Sequence, residues 1–165
     1  MTKVIIPPEI YEKLREHLFS RDSEQVAFIY MRPDADDLVV DDYFCVPPSE
    51  LVYESEYHAE ISADAQAMAI KGAWDKKRHL GEMHTHPFST EGTSFSYSDV
   101  AGFREFVPHV WWRLRGGPYF AMVLGQKDFD ALLWKQDSET PEMIERVQVG
   151  DEALRPNNLF FKYER

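Results

Sequence analysis

His84 and His86 are separated by a single residue in the run Leu80-Gly81-Glu82-Met83-His84-Thr85-His86, which reads as a strand that stops at Pro87. Alternation along an extended chain sends both imidazoles to one face, about 6.5 to 7 Å apart at the backbone, close enough to converge on one cation. Pro87 places the pair at a strand end, where open coordination and substrate access are easiest. A third ligand is needed, and the best candidate is Asp99, thirteen residues beyond His86, in the first turn of the helix that follows the intervening loop. Two neutral imidazoles and one carboxylate leave the fourth tetrahedral position of zinc (Zn²⁺) for water, the arrangement of a catalytic site and not of a closed structural one. Such a site lowers the pKa of its water to roughly 7, so that hydroxide becomes available as a nucleophile at neutral pH.

Two neighbours have a second reading. Glu82 lies two residues before His84 and faces the same side, which makes it a rival ligand or a supporting group. Ser96-Tyr97-Ser98-Asp99 is also a capping box, with Ser96 at the N-cap and Asp99 at N3. His17, His58, His79 and His109 have no mutual spacing that suggests ligation. Cys45, the one cysteine, reads as buried in a strand and inert; alone it makes neither an intramolecular disulfide nor a cysteine-based zinc site.

The elements that must position these residues follow from periodicity and turn chemistry. Val4 to Ile6 is a short strand, and after Pro7-Pro8 a helix of about three turns carries Ile10, Leu14, Leu18 and Phe19 at helical spacing. Gln25 to Met31 and Leu38 to Val46 read as an antiparallel pair joined by the polar turn Arg32 to Asp37. Pro47 to Tyr57 reads as a loop leading to a short strand at His58-Ala59-Glu60-Ile61, and Ser62 caps a helix from Ala63 to Lys77. Phe88 to Phe95 reads as a flexible stretch with little that packs. A helix then runs from Ser96 to Phe106, closed by Pro108. Tyr119 to Leu124 and Phe129 to Trp134 form a hairpin, Val147 to Val149 an edge strand, and Leu159-Phe160-Phe161 a docked tail. Strands interrupted by helices predict an α/β or α+β domain with helices packed on a mixed sheet.

The 165 residues, 44% hydrophobic and 14% aromatic, suffice for the core of one domain, and no linker or repeat divides residues 1–165. No apolar run has the length of a membrane span, and the N-terminus turns charged and helical too soon for a signal peptide, so the expected compartment is cytoplasmic. A net charge of -11 repels phosphate backbones and anionic membranes, which excludes nucleic acid and membrane as expected partners and suits a partner that is basic where it docks.

Glu24, then His84-Thr85-His86-Pro87, then Ser96-Tyr97-Ser98-Asp99, taken in that order, resemble the JAMM (Jab1/MPN) metalloprotease family, whose pattern is an upstream Glu, His-Ser/Thr-His-Pro and a downstream Ser-x-x-Asp. The likeness covers about residues 3 to 135 and leaves the C-terminal thirty residues outside it. Two departures stand out. The stretch Pro87 to Phe95 is two residues longer than is usual there, and Ala27 stands where the family commonly has Gly.

The resemblance implies a JAMM/MPN-like mixed β-sheet flanked by helices, with cytidine-deaminase-like layering. It also implies that His84, His86 and Asp99 bind zinc, that Glu24 handles protons and that Ser96 stabilises the oxyanion. The implied activity is that of a zinc isopeptidase or peptidase, deubiquitinase-like, acting after the C-terminal tail of a ubiquitin-like protein, in deconjugation or precursor processing. Pro47 to Tyr57 and Phe88 to Phe95 would grip that tail as an added strand. Small size suggests the bacterial stand-alone members, which work beside ubiquitin-activating-like and conjugating-like enzymes. Alternatives within the resemblance are a non-catalytic MPN-type scaffold and a DNA-repair-associated relative. Arg113-Leu114-Arg115-Gly116-Gly117 spells such a tail inside this chain, but it is followed by Pro118 and a strand and reads as a turn.

Overall fold

The computed structural model describes residues 1–54 and 59–163. In chain order its elements are Lys3–Ile5 (β1), Pro8–Leu18 (α1), Val26–Asp34 (β2), Asp37–Cys45 (β3), Leu51–Glu54 (β4), Ala59–Ile61 (β5), Ala63–Lys76 (α2), His79–Thr85 (β6), Tyr97–Arg113 (α3), Tyr119–Leu124 (β7), Phe129–Trp134 (β8), Arg146–Val149 (β9), Glu152–Leu154 (β10) and Leu159–Tyr163 (α4). Eight strands form one sheet in the order β10-β9-β1-β3-β2-β6-β7-β8, while β4 and β5 pair as a separate two-stranded sheet. The large sheet is mixed: β6 runs parallel to β7 and antiparallel to β2. A mixed α/β architecture is therefore what the chain adopts.

Period-two alternation divides the core into two layers. Ala27, Ile29 and Met31 of β2 join Leu14 and Leu18 of α1 on one face of the sheet. Val26, Phe28 and Tyr30 face the other way, onto Ala65, Ala69 and Ala73 of α2 and Phe103, Val107 and Val110 of α3. The alanine face of α2 lets that helix lie close to the sheet, and its N-terminus is capped by Ser62 Oγ, which accepts from the Ala65 amide at 3.1 Å.

Several local expectations are corrected. The turn between β2 and β3 is two residues, not six. Both strands run on through Pro33 and Leu38, and Ala35 takes a left-handed conformation at φ 53° to close the hairpin. Within Pro47 to Tyr57 the chain forms a short 3-10 turn at Pro48–Glu50 and then β4, because β5 offers it a pairing edge; Ser55 to His58 lie outside the described residues.

Pro108 sits inside α3 and does not end it. The apolar face of that helix continues through Val110, and burying it outweighs the amide bond that a proline lacks. The stretch Phe88 to Phe95 is held by the turn between β7 and β8. Gln126 and Lys127 amides donate to Ser89 and Thr90 carbonyls, and Thr93 is buried. Gly125 is required there, since a Cβ at that position would meet Thr93 Oγ1 at 2.0 Å.

Candidate metal centre

The β2–β6 register pairs Val26 with His84, and the bond from the Thr85 amide to the Gln25 carbonyl continues it. One further step brings Glu24 opposite His86. All three side chains thus emerge on the face that carries α3. Glu24, His84 and His86 are buried at 3, 5 and 4% exposure, a degree that charged and imidazole groups tolerate only with partners.

Asp99 completes the group from the first turn of α3. Ser96 Oγ accepts from the Asp99 amide at 3.1 Å, and the Ser96 amide donates to Asp99 Oδ2 at 2.9 Å, so the capping box is present in full. The same Oδ2 atom lies 3.1 Å from His84 Nε2 and 3.3 Å from His86 Nε2. Capping therefore aims the carboxylate at the imidazoles, and the two roles of Asp99 coexist. Glu24 Oε1 stands 3.8 Å from His86 Nε2.

One ligand atom from each of Glu24, His84, His86 and Asp99 lies within 4.8 Å of the other three, and this buried group can hold a metal ion. Two of the spacings match those around a small tetrahedral cation. Ligand atoms about 2.0 to 2.1 Å from a shared ion are about 3.3 Å apart along a tetrahedral edge. Both imidazole-to-Asp99 distances match that edge.

Burial by itself would keep His84 neutral, but Asp99, hydrogen-bonded to it, together with Glu82 and Glu24, pushes its pKa up to about 9. Burial also opposes the ionised form of Asp99, yet His84, His86 and the Ser96 amide hold its carboxyl well below the usual carboxylate range. Three carboxylates, Asp99, Glu82 and Glu24, thus act on the single imidazole of His84.

Glu82 takes the supporting place. Its Oε2 stands 3.9 Å from His84 Nδ1, on the side of the ring opposite Asp99, and its Oε1 accepts from Tyr119 Oη at 2.6 Å. Burial raises the Glu82 pKa, with the His84 charge and the Tyr119 hydrogen bond acting against that rise. At 3.9 Å Glu82 acts on His84 by charge and not by a hydrogen bond, and His84 Nδ1 is buried without a hydrogen-bond partner. Tyr119 was not identified from sequence. Nothing in its strand marks it, and only the parallel β6–β7 register brings it beside Glu82.

Rings wall the centre. Phe88 stacks on His86 with centroids 5.3 Å apart, and Phe95 packs at 6.1 Å from His84. Beside Asp99 opens a cavity of about 590 Å³, bordered by Glu60 and Ile61 of β5, Glu82 of β6 and Gly102, Glu105 and Phe106 of α3. Ser96 is partly exposed at the other side of the same helix start.

Of the remaining histidines, His58 lies outside the described residues and His109 borders the cavity beside Asp99. His17 Nε2 meets the Val26 carbonyl at 3.0 Å, and burial lowers the His79 pKa. Cys45 is half-buried, with its thiol pushed up by burial.

Among the described residues no helix is long and apolar enough to cross a membrane. No family model matches the chain. No curated protein matches it either. Among solved structures it is similar to the solution structure of a protein from Desulfitobacterium hafniense, with a TM-score of 0.57 and 18% identity over 89% of this chain and 95% of that one. At that identity the likeness concerns the fold alone.

Proposed function

We propose that this protein is a zinc-dependent hydrolase of amide or isopeptide bonds, of the JAMM/MPN kind, that cleaves after the extended tail of a ubiquitin-like protein. The observation that carries the reading is that Asp99 Oδ2 meets both His84 Nε2 and His86 Nε2 at tetrahedral-edge distances, with Glu24 beside them. His84, His86 and Asp99 would hold the ion. A zinc ion bound there supplies Lewis acidity and lowers the pKa of water to roughly 7.

The chain's own groups do the rest. Glu24, buried next to His86, takes a proton from the attacking water and returns it to the departing amine. Ser96 Oγ accepts from the helix, so its proton is left to donate to the oxygen of the attacked carbonyl, at the positive end of α3. Phe88 stacks on His86 and Phe95 packs against His84, so that both rings are held in place.

The acid-lined cavity between β5 and α3 suits a basic, extended tail. β4 and β5 form a two-stranded sheet beside it, to which a tail can add as a further strand. Ubiquitin-activating-like and conjugating-like enzymes are the partners this reading expects.

The test uses a ubiquitin-like protein whose Arg-Gly-Gly tail is joined by an amide to a reporter amine, with zinc content measured on the same samples. Glu24→Ala and Asp99→Ala should both abolish turnover, and only Asp99→Ala should lose zinc stoichiometry. Purified protein that takes up no metal would refute the hydrolase and favour a scaffold.

A further inference from the structure

The segment that follows β10 reaches the connection between His86 and Ser96 through the side chain of Asn157. Both side-chain polar atoms of Asn157 and its amide are engaged. Its amide N donates to the Phe129 carbonyl at 2.9 Å, and its Oδ1 accepts from the Leu159 amide at 3.0 Å. Its Nδ2 donates both to the Thr93 carbonyl at 2.8 Å and to Asp128 Oδ2 at 3.0 Å. Asp128 in turn accepts from the Gly92 amide at 2.8 Å and the Thr93 amide at 3.2 Å. Nearby, Asp130 accepts from the Phe160 amide at 2.8 Å and so fixes the start of α4.

Gly92 and Thr93 belong to the connection between His86 and Ser96. The His86 end of that connection is already fixed to β7, where its amide donates to the Leu124 carbonyl at 2.9 Å. The far end leads into the cap that aims Asp99. Two ligands on opposite sides of a nine-residue stretch, Pro87 to Phe95, must keep their separation to a few tenths of an ångström, and a stretch of that length has no rigidity of its own. The β7–β8 turn holds Ser89 and Thr90, and the clamp formed by Asn157 and Asp128 holds Gly92 and Thr93, nearer to Ser96.

We infer that Asn157 is a positioning residue for the metal centre, holding the His86-to-Ser96 connection so that Asp99 meets the imidazoles; this rests on the metal reading above. The C-terminal segment is then a working part of the site and not a tail docked for bulk stability.

Asn157→Ala is compared with Phe160→Ala, which removes packing of α4 and leaves the clamp bonds in place. Both proteins are titrated with cobalt(II), followed by its visible absorption and by competition with a chelator, and amide hydrogen exchange is recorded without metal. Asn157→Ala should weaken cobalt binding about tenfold and speed exchange at Gly92 and Thr93, by analogy with groups that orient ligands from outside. Phe160→Ala should lower the unfolding temperature yet keep the wild-type affinity in its folded fraction. Equal affinity in Asn157→Ala and the parent, or an equal loss in both variants, overturns the inference and leaves the metal centre standing. A parent protein that binds no cobalt and no zinc refutes the metal reading and the inference with it.

Discussion

Tyr119 Oη donates to Glu82 Oε1 at 2.6 Å, linking β7 to the carboxylate that stands behind His84. Tyr119 is fully buried, so its hydroxyl has been moved out of water to make this one bond. Replacing it with phenylalanine keeps the ring and leaves Glu82 without its donor. Tyr119→Phe should therefore cost about 1 to 3 kcal/mol, measured by urea unfolding of metal-free protein. A cost below about 0.5 kcal/mol would show that the bond is idle.

Ser96→Ala separates capping from ligation. The loss of the Ser96 cap should destabilise the protein by about 1 kcal/mol, and turnover should fall by about 10² to 10³ if the hydroxyl also donates to the developing oxyanion. Zinc stoichiometry should be unchanged, because the Asp99 carboxylate remains. Zinc analysis, urea unfolding and cleavage rates on one preparation decide each part.

Metal should stabilise the fold by mass action. Zinc at about 100 times its Kd should add about 2.7 kcal/mol to unfolding, and a chelator should reverse the gain. His86→Gln should lose most of that increment. The same zinc shift in His86→Gln and the parent would mean that the ion binds elsewhere.

Acid should loosen the clamp on the connection that follows His86. Burial opposes the charged form of Asp128, but hydrogen bonds from Thr93, Asn157 and Gly92 outweigh it and lower its pKa. A carboxylate with a folded pKa below its unfolded value of about 3.9 contributes stability above that value and loses it as pH falls through the folded pKa. The stability gap between parent and Asp128→Asn should accordingly narrow as pH drops from 6 toward 2. Urea midpoints for both proteins across that series measure it, and a gap that widens in acid would contradict the assignment.

Pro108 interrupts the hydrogen-bond ladder of a helix that nevertheless continues to Arg113. Pro108→Ala restores one amide donor inside α3 and should stabilise the fold by about 1 to 3 kcal/mol. A lower unfolding temperature would mean that the proline ring makes packing contacts worth more than the missing bond.

Much of this architecture was legible in the chain. β7 and β8 fall at the expected Tyr119–Leu124 and Phe129–Trp134, and α2 starts one residue after Ser62, because strand alternation and caps are local signals. Local signals also misled. Pro108 reads as a helix stop, and only the buried face that includes Val107 and Val110 overrides it. The polar run Arg32 to Asp37 reads as a turn, yet pairing with β3 extends β2 to Asp34. The connection Phe88 to Phe95 looks unpacked because its bonds go to Asp128 and Asn157, both distant in sequence.

Residue type and short spacing by themselves determined three members of the candidate metal group: two imidazoles on one strand face, and an acid aimed by a serine cap. Those relations are fixed within a few residues by strand pleat and helix geometry. Tertiary structure alone decided that Glu24 comes opposite His86, that Tyr119 reaches Glu82 and that Asn157 reaches Thr93. Strand register and the docking of a C-terminal segment are set by which distant surfaces bury each other, and no local pattern encodes that choice.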